Sequence, residues 1–396
     1  MDHAEEIVIV GAGLAGLAVA VGLHRKGLRS LVLESSDTLR AAGFALTVWN
    51  NAWRALDALG VGDSLRRHHL RLQAVVVSSA SSASLVTKLP AKEHEVRCVR
   101  RNLLVEALAG ELPHGTIRYS SKVVAMEDSG ESKLLHLADG STLKAKVVIG
   151  CDGINSVVSK RLGLKQPTFS GRHAARGFTV LPDGHGMKPE FKQYNGEGFR
   201  AGVLPCDEKS LYWFFTWSSD GEKETIQDAL MVKEFVLGKM KAAEIPEQVV
   251  EIIEKSELSS VASAPLRYRS PLDLLSGNIF KGNTCVVGDA FHPMTPDLGQ
   301  GGCSALEDGV VLARCLGEAL CGGGDGEGEN RKVEAGLKEY EKARKWRAFR
   351  LVVGSFVLGF VQESRNWFLR LVRERVLAAF MVERLFIAGS FDCGKL

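Results

Sequence analysis

The sequence predicts an α/β protein in which a helix-flanked parallel sheet is interrupted by an antiparallel sheet and followed by C-terminal helices. Three observations carry that prediction. Residues 7–10 form a short apolar strand, Gly11-Ala12-Gly13-Leu14-Ala15-Gly16 turns it into a helix, and a second strand closes on Glu34. Residues 284–316 repeat the theme: the apolar strand Cys285-Val286-Val287 stops at Gly288-Asp289, and a Pro/Gly loop leads into a long helix with Ala305, Val310, Ala313 and Leu316 at helical spacing. Between these units, residues 171–270 read as aromatic-rich strand runs without strand–helix alternation.

Taken in order, the first unit is a Rossmann-like dinucleotide-binding turn. Its glycines permit a tight bend, close approach of backbone to a pyrophosphate, and close helix–strand packing. Gly11, Gly13, Leu14, Ala15 and Gly16 are therefore cofactor-binding candidates, and Glu34 stands where an acid hydrogen-bonds a ribose. Residues 50–67 read as one helix. Residues 74–79 and 85–89 are short strands joined by a Ser-rich turn, and Arg100-Arg101 precedes a further helix. Strands follow at 117–126, 134–138 and 143–149, with Asp139-Gly140 as a hairpin turn and Gly150-Cys151-Asp152-Gly153 ending the last.

In the middle region, strands are expected at 173–181, 190–194, 199–204 and 211–217, helices at 226–241 and 246–255, and a return segment at 259–269. Tyr212, Phe214 and Thr216 share one strand face, and Trp213, Phe215 and Trp217 the other. One face covers a pocket, and alternation alone does not choose between them. Arg176, Tyr194 and Arg200 are strand residues suited either to an anionic or phenolic ligand or to a solvated face. Residues 321–330 are low in complexity and read as a loop. Helices are expected at 332–360 and 366–385, with five basic residues between Lys342 and Arg350. That run fits a helical cap or, alternatively, a basic amphipathic surface for peripheral membrane contact.

Composition excludes several classes. At 396 residues with 45% apolar and 24% charged residues, the chain suits a soluble enzyme of two or three domains. A net charge of +3 gives no footprint for nucleic acid. The eight cysteines show neither C-x-x-C nor zinc spacing, so no metal is expected and a reducing, cytoplasmic setting is. The N-terminus enters a strand at once, leaving no room for a targeting peptide, and no run reaches the roughly 20 apolar residues of a membrane span.

Three motifs in register carry a resemblance. Gly11–Gly16 with Glu34, then Cys151-Asp152-Gly153-Ile154-Asn155-Ser156, then Gly288-Asp289-Ala290 with Pro293, Pro296 and Gly299-Gln300-Gly301, resemble the fingerprints of the class A flavoprotein aromatic hydroxylases. The wording Phe291-His292-Pro293-Met294-Thr295-Pro296 and the ending Phe391-Asp392-Cys393 are most similar to a plant branch near 3-hydroxybenzoate 6-hydroxylase and salicylate hydroxylase. The resemblance implies a Rossmann-like FAD-binding domain of the p-hydroxybenzoate hydroxylase type, an inserted antiparallel-sheet substrate domain and C-terminal helices. The implied plan is FAD domain 1–170 (with the 74–89 strand pair on the substrate side), substrate domain 171–270, FAD domain again 271–320, flexible loop 321–331, and helical region 332–396.

What the resemblance implies for chemistry is an NAD(P)H-consuming monooxygenase. Non-covalent FAD is reduced by NADH or NADPH and, through a C4a-hydroperoxyflavin, passes one atom of O2 to a small aromatic or phenolic substrate. Arg101, Asp152, Asp289, Pro296, Gly299, Gln300 and Gly301 are implied flavin contacts, the last three at a helix start that suits an anionic reduced ring. Ser35 and Ser159 stand where relatives often carry a basic residue; the first weakens an adenine-side contact, and the second leaves NADH versus NADPH open. No acid or base is assigned: His292 beside the Gly288-Asp289 motif is read as structural, and Pro293, His292, Arg176, Tyr194 and Phe214 remain the active-site candidates. The alternatives on the same fold are an epoxidase or reductase of a hydrophobic terpenoid, and a FAD-binding interaction protein without turnover.

Overall fold

The structure, a computed structural model, describes residues 4–39, 44–80, 85–219, 226–321, 328–363 and 378–396. The expected Ser-rich turn, most of the 321–331 loop and the first part of the 366–385 helix lie outside the described residues.

The chain opens with β1 (Glu5–Val10), α1 (Leu14–Arg25), β2 (Leu31–Leu33), β3 (Ala45–Val48), α2 (Asn50–Ala58) and α3 (Gly62–Arg66). There follow β4 (Ala74–Ser79), β5 (Leu85–Pro90), β6 (Arg97–Arg100), α4 (Arg101–Gly110), β7 (Ile117–Arg118), β8 (Val123–Ser129), β9 (Ser132–Leu137), β10 (Thr142–Gly150) and α5 (Val157–Arg161). The middle region holds β11 (Thr168–Val180), β12 (Glu190–Asn195), β13 (Phe199–Pro205), β14 (Ser210–Ser218), α6 (Ala229–Ala242), α7 (Glu247–Glu254) and β15 (Val261–Tyr268). The chain returns through α8 (Pro271–Ser276), β16 (Phe280–Lys281), β17 (Thr284–Val286) and α9 (Gly301–Cys321), then ends in α10 (Glu329–Gln362) and α11 (Ala378–Ala388).

The first sheet runs β16-β17-β10-β1-β2-β7, with β10, β1, β2 and β17 parallel where they meet and β8–β9 folded onto β10 as an antiparallel extension. Its central strands are buried on both faces, which is why they read as continuous apolar runs rather than alternating ones. Helix α1 lies between this sheet and α9, and small residues let the two helices touch. A Cβ on Gly309 would come within 2.6 Å of Ala18, and one on Gly22 within 2.6 Å of Ala313.

The second sheet runs β15-β11-β14-β13-β12-β4-β5. It is not purely antiparallel as expected: β4, contributed by the first unit, pairs parallel with β12. The 74–89 hairpin thus joins the inserted sheet. One face packs on α6 and α7 through Trp213, Phe215, Val236, Met240, Val249 and Ile253, and the opposite face turns toward the first sheet.

Several expected elements differ. The 50–67 helix is two helices, because Gly60 at φ +79 forces a break. The 117–126 strand is also two, divided at Ser120, whose φ is +51. Strands β3 and β6 pair into a small sheet that no alternation announced. The basic run of α10 is not one solvated face, since Arg344 and Arg347 turn inward onto the buried Glu307. No helix among the described residues is long and apolar enough to cross a membrane.

Candidate functional site

The first wall is the turn from β1 into α1. Gly11 adopts φ +103, and a Cβ there would lie 2.6 Å from the Cys151 carbonyl oxygen; a Cβ on Gly16 would collide with the Gly11 carbonyl at 1.9 Å. Gly13 meets nothing within 4 Å, so its exposed side is open space. No side chain caps α1 and no acid lies in its first turn, which leaves its N–H groups and positive dipole end available to an anion. Glu34 is buried at the end of β2 and braces the turn: Ala12 N–H and Ser36 N–H each donate to its carboxylate at 2.8 Å.

Asp152 follows β10. One carboxylate oxygen accepts from Val157 N–H at 2.7 Å, while the other is buried with no partner. Burial pushes its carboxyl up from the usual range, against the pull of neighbouring N–H donors. An orphaned buried acceptor beside an open glycine turn is what a hydroxyl-bearing dinucleotide would complete. By this observation, the residues present fit FAD.

The second wall is the loop from β17 to α9. Gly288, at φ +61, packs against Ala15, where a Cβ would be 2.8 Å from the alanine methyl. That contact sets the loop on the dinucleotide helix and presents Asp289 at the cleft. Asp289 is open to the cleft yet ringed by protein, and this burial pushes its carboxyl up, while His292, Arg176 and Arg101 pull it down. Arg101, at the start of α4, is thus close enough to act on Asp289. Gly299 at φ +61 turns the chain into α9, whose first turn also lacks an acid.

Beneath the loop lies a buried network. His292 Nε2 sits 2.6 Å from Asp308, Arg344 Nε donates to the same carboxylate at 2.6 Å, and Gly288 N–H donates to it at 3.0 Å. Glu307 pairs with Arg344 at 2.6 Å and Arg347 at 3.0 Å. Burial alone would raise Asp308, but His292 and Arg344 hold it down at about 2. His292 is fully buried here and does not line the cavity. Gln300 is buried too, its carbonyl accepting from Asn51 at 2.8 Å, so its side chain serves the scaffold.

Between the sheets is a cavity of ≈ 260 Å³. Asp289, Pro296, Gly299 and Gly301 form one side; Arg176, Phe191, Arg200, Tyr212, Phe214 and Thr216 form the other. The Tyr212–Phe214–Thr216 face of β14 is therefore the cavity face. Pro293 is buried beside it without lining it, its carbonyl accepting from Arg269 N–H at 3.0 Å. The structure does not bring Tyr194 to the cavity. On β12 it points opposite to Phe191 and packs in the core under α6 and α7. Arg176 is open to the cleft and makes no hydrogen bond or ion pair among the described residues. Arg200, by contrast, is committed: it reaches Asp297 at 3.2 Å and Gln362 at 2.6 Å.

Sequence reasoning missed three contributors. Arg269, 1% exposed, donates to the carbonyls of Phe291 and Ala290 and to Ser159 Oγ, pinning the loop from behind. Ser159 is thus engaged by an arginine distant in sequence. Leu385 of α11 reaches the cavity, and the end of α10 holds Arg200; neither carries a motif.

Comparison with known proteins agrees with this geometry. Residues 4–355 match the family model described as an FAD binding domain. The chain is 50% identical to Monooxygenase 2 of Arabidopsis thaliana, over 100% of this chain and 99% of that one. It is 35% identical to Monooxygenase 1 of the same plant, over 98% and 99%. Among solved structures, Klebsiella pneumoniae HpxO complexed with FAD and uric acid superposes with TM-score 0.83 at 21% identity, covering 98% of this chain and 97% of that one.

Proposed function

Because the chain belongs to the FAD binding domain family, and is an FAD-dependent monooxygenase of the plant type related to the salicylate and 3-hydroxybenzoate hydroxylases, we propose that it uses NADH or NADPH to insert one atom of O2 into a small aromatic or phenolic substrate bearing an anionic group. The observation that carries this reading is Arg176. It is the open cation, among the described residues, of a cavity walled in part by Phe191, Tyr212 and Phe214 and shared with Asp289, whereas Arg200 is already paired. The flat faces of Phe191, Tyr212 and Phe214 suit a ring system. Uric acid, the ligand of the HpxO structure, is a compact ring system of this kind.

In this reading Gly11, Gly13, Leu14, Ala15 and Gly16 with Glu34 hold the adenosine and pyrophosphate end of FAD. Asp152, Arg101 and Asp289 hold its ribityl–phosphate middle. Pro296 and Gly299–Gly301 place the α9 N-terminus at the ring, where its unpaired N–H groups stabilise negative charge. Bound, FAD supplies the oxygen-transfer chemistry through a C4a-hydroperoxyflavin. The aromatic wall orients the substrate and excludes water, and Arg176 holds its anionic group. His292 positions the loop through Asp308 and moves no proton to substrate.

The test is stopped-flow flavin reduction by NADH and NADPH across aromatic acids, phenols, N-heteroaromatics and terpenoids. Reduction should be slow alone and markedly faster with an anionic aromatic, and Arg176→Met should remove that acceleration. Fast reduction with no ligand, unaffected by the whole panel, would refute the substrate-gated hydroxylase. Stimulation by neutral terpenoids alone would favour an epoxidase.

A further inference from the structure

We propose that Glu363, a residue outside the cavity, sets the cavity's charge and so selects which substrates it accepts. The inference rests on the reading that the occupant is an anionic aromatic. Behind the cavity wall four ionisable side chains meet. Arg172 lays its two terminal nitrogens on Asp297 at 3.0 and 2.7 Å and reaches Glu363 at 2.8 Å. Arg200 joins from the next strands, 3.2 Å from Asp297 and 2.6 Å from Gln362. Thr216 Oγ1 donates to Glu363 at 2.5 Å, and Ser218 Oγ lies 3.5 Å from the same carboxylate. All four charged residues are at most 6% exposed.

The placement is specific. Arg200, Thr216 and Asp297 line the cavity; Arg172, Gln362 and Glu363 do not. Residues ending α10 therefore hold two cavity residues from behind, Arg200 through Gln362 and Thr216 through Glu363. Helix α10 can come this close because residue 359 is glycine: a Cβ there would lie 1.8 Å from Arg172 Nη1 and 2.4 Å from Asp297 Oδ2. Two positive and two negative groups sum to zero. That balance leaves Arg176 and Asp289 as the other charged groups lining the cavity among the described residues, with Arg176 the open cation. Without the Glu363 charge the cluster would carry one net positive charge, felt strongly in a poorly screened interior. Arg200 would then act on a bound anion as well. A buried ion cluster adds little net stability compared with an apolar one, so its position against the cavity points to a role in recognition. Glu363 is a positioning residue, not a catalytic one.

The experiment compares holoprotein and the variants Glu363→Gln and Arg172→Gln by quenching of bound FAD fluorescence, with iodide as the anionic probe and acrylamide as the neutral one, at fixed ionic strength. Glu363→Gln keeps the shape and the acceptor for Thr216. It should raise the iodide quenching constant roughly three- to tenfold while acrylamide is unchanged. Arg172→Gln leaves one net negative charge and should lower the iodide constant. In parallel, Glu363→Gln should tighten binding of salicylate but not of salicylamide. An unchanged iodide constant, or iodide and acrylamide rising together as in a wall that has merely opened, overturns the proposal. If Glu363→Gln fails to hold FAD, Arg172→Gln decides alone: an iodide constant that does not fall overturns it. Should the wild type bind salicylate no better than salicylamide while the quenching shifts appear, the anionic-substrate reading fails and the role of Glu363 stands.

Discussion

Two buried ionic clusters flank the same loop, and they are built alike. Beneath it, Arg344 and Arg347 meet Glu307 and Asp308; beside it, Arg172 and Arg200 meet Asp297 and Glu363. Each has two cations and two anions, and α10 serves both, giving bases to the first and an acid to the second. Those contributions stand roughly 28 Å apart along the helix at 1.5 Å per residue. The difference is what they touch. No member of the first cluster lines the cavity, whereas Arg200 and Asp297 of the second do. The same chemistry braces a scaffold in one place and tunes a binding surface in the other.

The largest effect should come from the scaffold cluster. Arg344→Met leaves Glu307 and Asp308 without their shared cation, and breaking a buried pair costs roughly 3–5 kcal/mol. Chemical denaturation should show that loss, and a loss below about 1 kcal/mol would put the two clusters in the same class. Asp289→Ala, which belongs to neither cluster, removes a charged hydrogen-bond partner worth about 1.5–3 kcal/mol. Titrating the apoprotein with FAD should show a roughly ten- to hundredfold weaker Kd, and an unchanged affinity would remove Asp289 from the flavin site.

Acid sharpens the comparison further, because Asp308 and Glu363 respond with opposite sign. Asp308 is held at about 2 against an ordinary 3.8. A depressed folded value means stability fully present above about 3.8 and lost as pH falls toward 2, about 2 kcal/mol in all. Asp308→Asn should flatten the denaturation midpoint over that range. Glu363 is displaced the other way: burial raises it above 4.5, against the pull of Arg172. Its contribution is full below 4.5 and lost as pH rises through the folded value. The stability difference between Glu363→Gln and wild type should therefore move in the variant's favour as pH rises. This is the smallest of the four effects, and a shift in the opposite direction would contradict the assigned sign.

What could be read from sequence was local. Gly11–Gly16 with Glu34, and Gly288-Asp289 with Gly299–Gly301, are contiguous motifs whose chemistry requires those residues at those spacings, and the structure packs the two against each other at Ala15 and Gly288. Alternation on β14 separated Tyr212, Phe214 and Thr216 from their neighbours, but both faces are apolar because both are buried. Only the packing of α6 and α7 shows which one faces the flavin domain. Tyr194 missed the cavity for the same reason: parity is readable, direction is not. The basic run of α10 misled because side-chain type does not say which turn of a helix faces inward. The Glu363 cluster joins residues distant in sequence, Arg172 and Asp297 lying 125 positions apart, and no local pattern marks it. Arg269 was hidden likewise, its partner Ser159 lying 110 positions away.

The order of strands in the first sheet has a consequence for biosynthesis. β1 pairs with β10, and β10 with β17, so the phosphate turn leaves the ribosome long before its sheet gains β17 at Thr284–Val286. At about 5–20 residues per second, roughly 14–55 s of translation separate the two. Arg344, which neutralises Asp308 under the loop, emerges later still. Cofactor capture is thus a post-translational event, and cellular FAD would act on the yield of folded protein by binding the completed chain and drawing the folding equilibrium toward it.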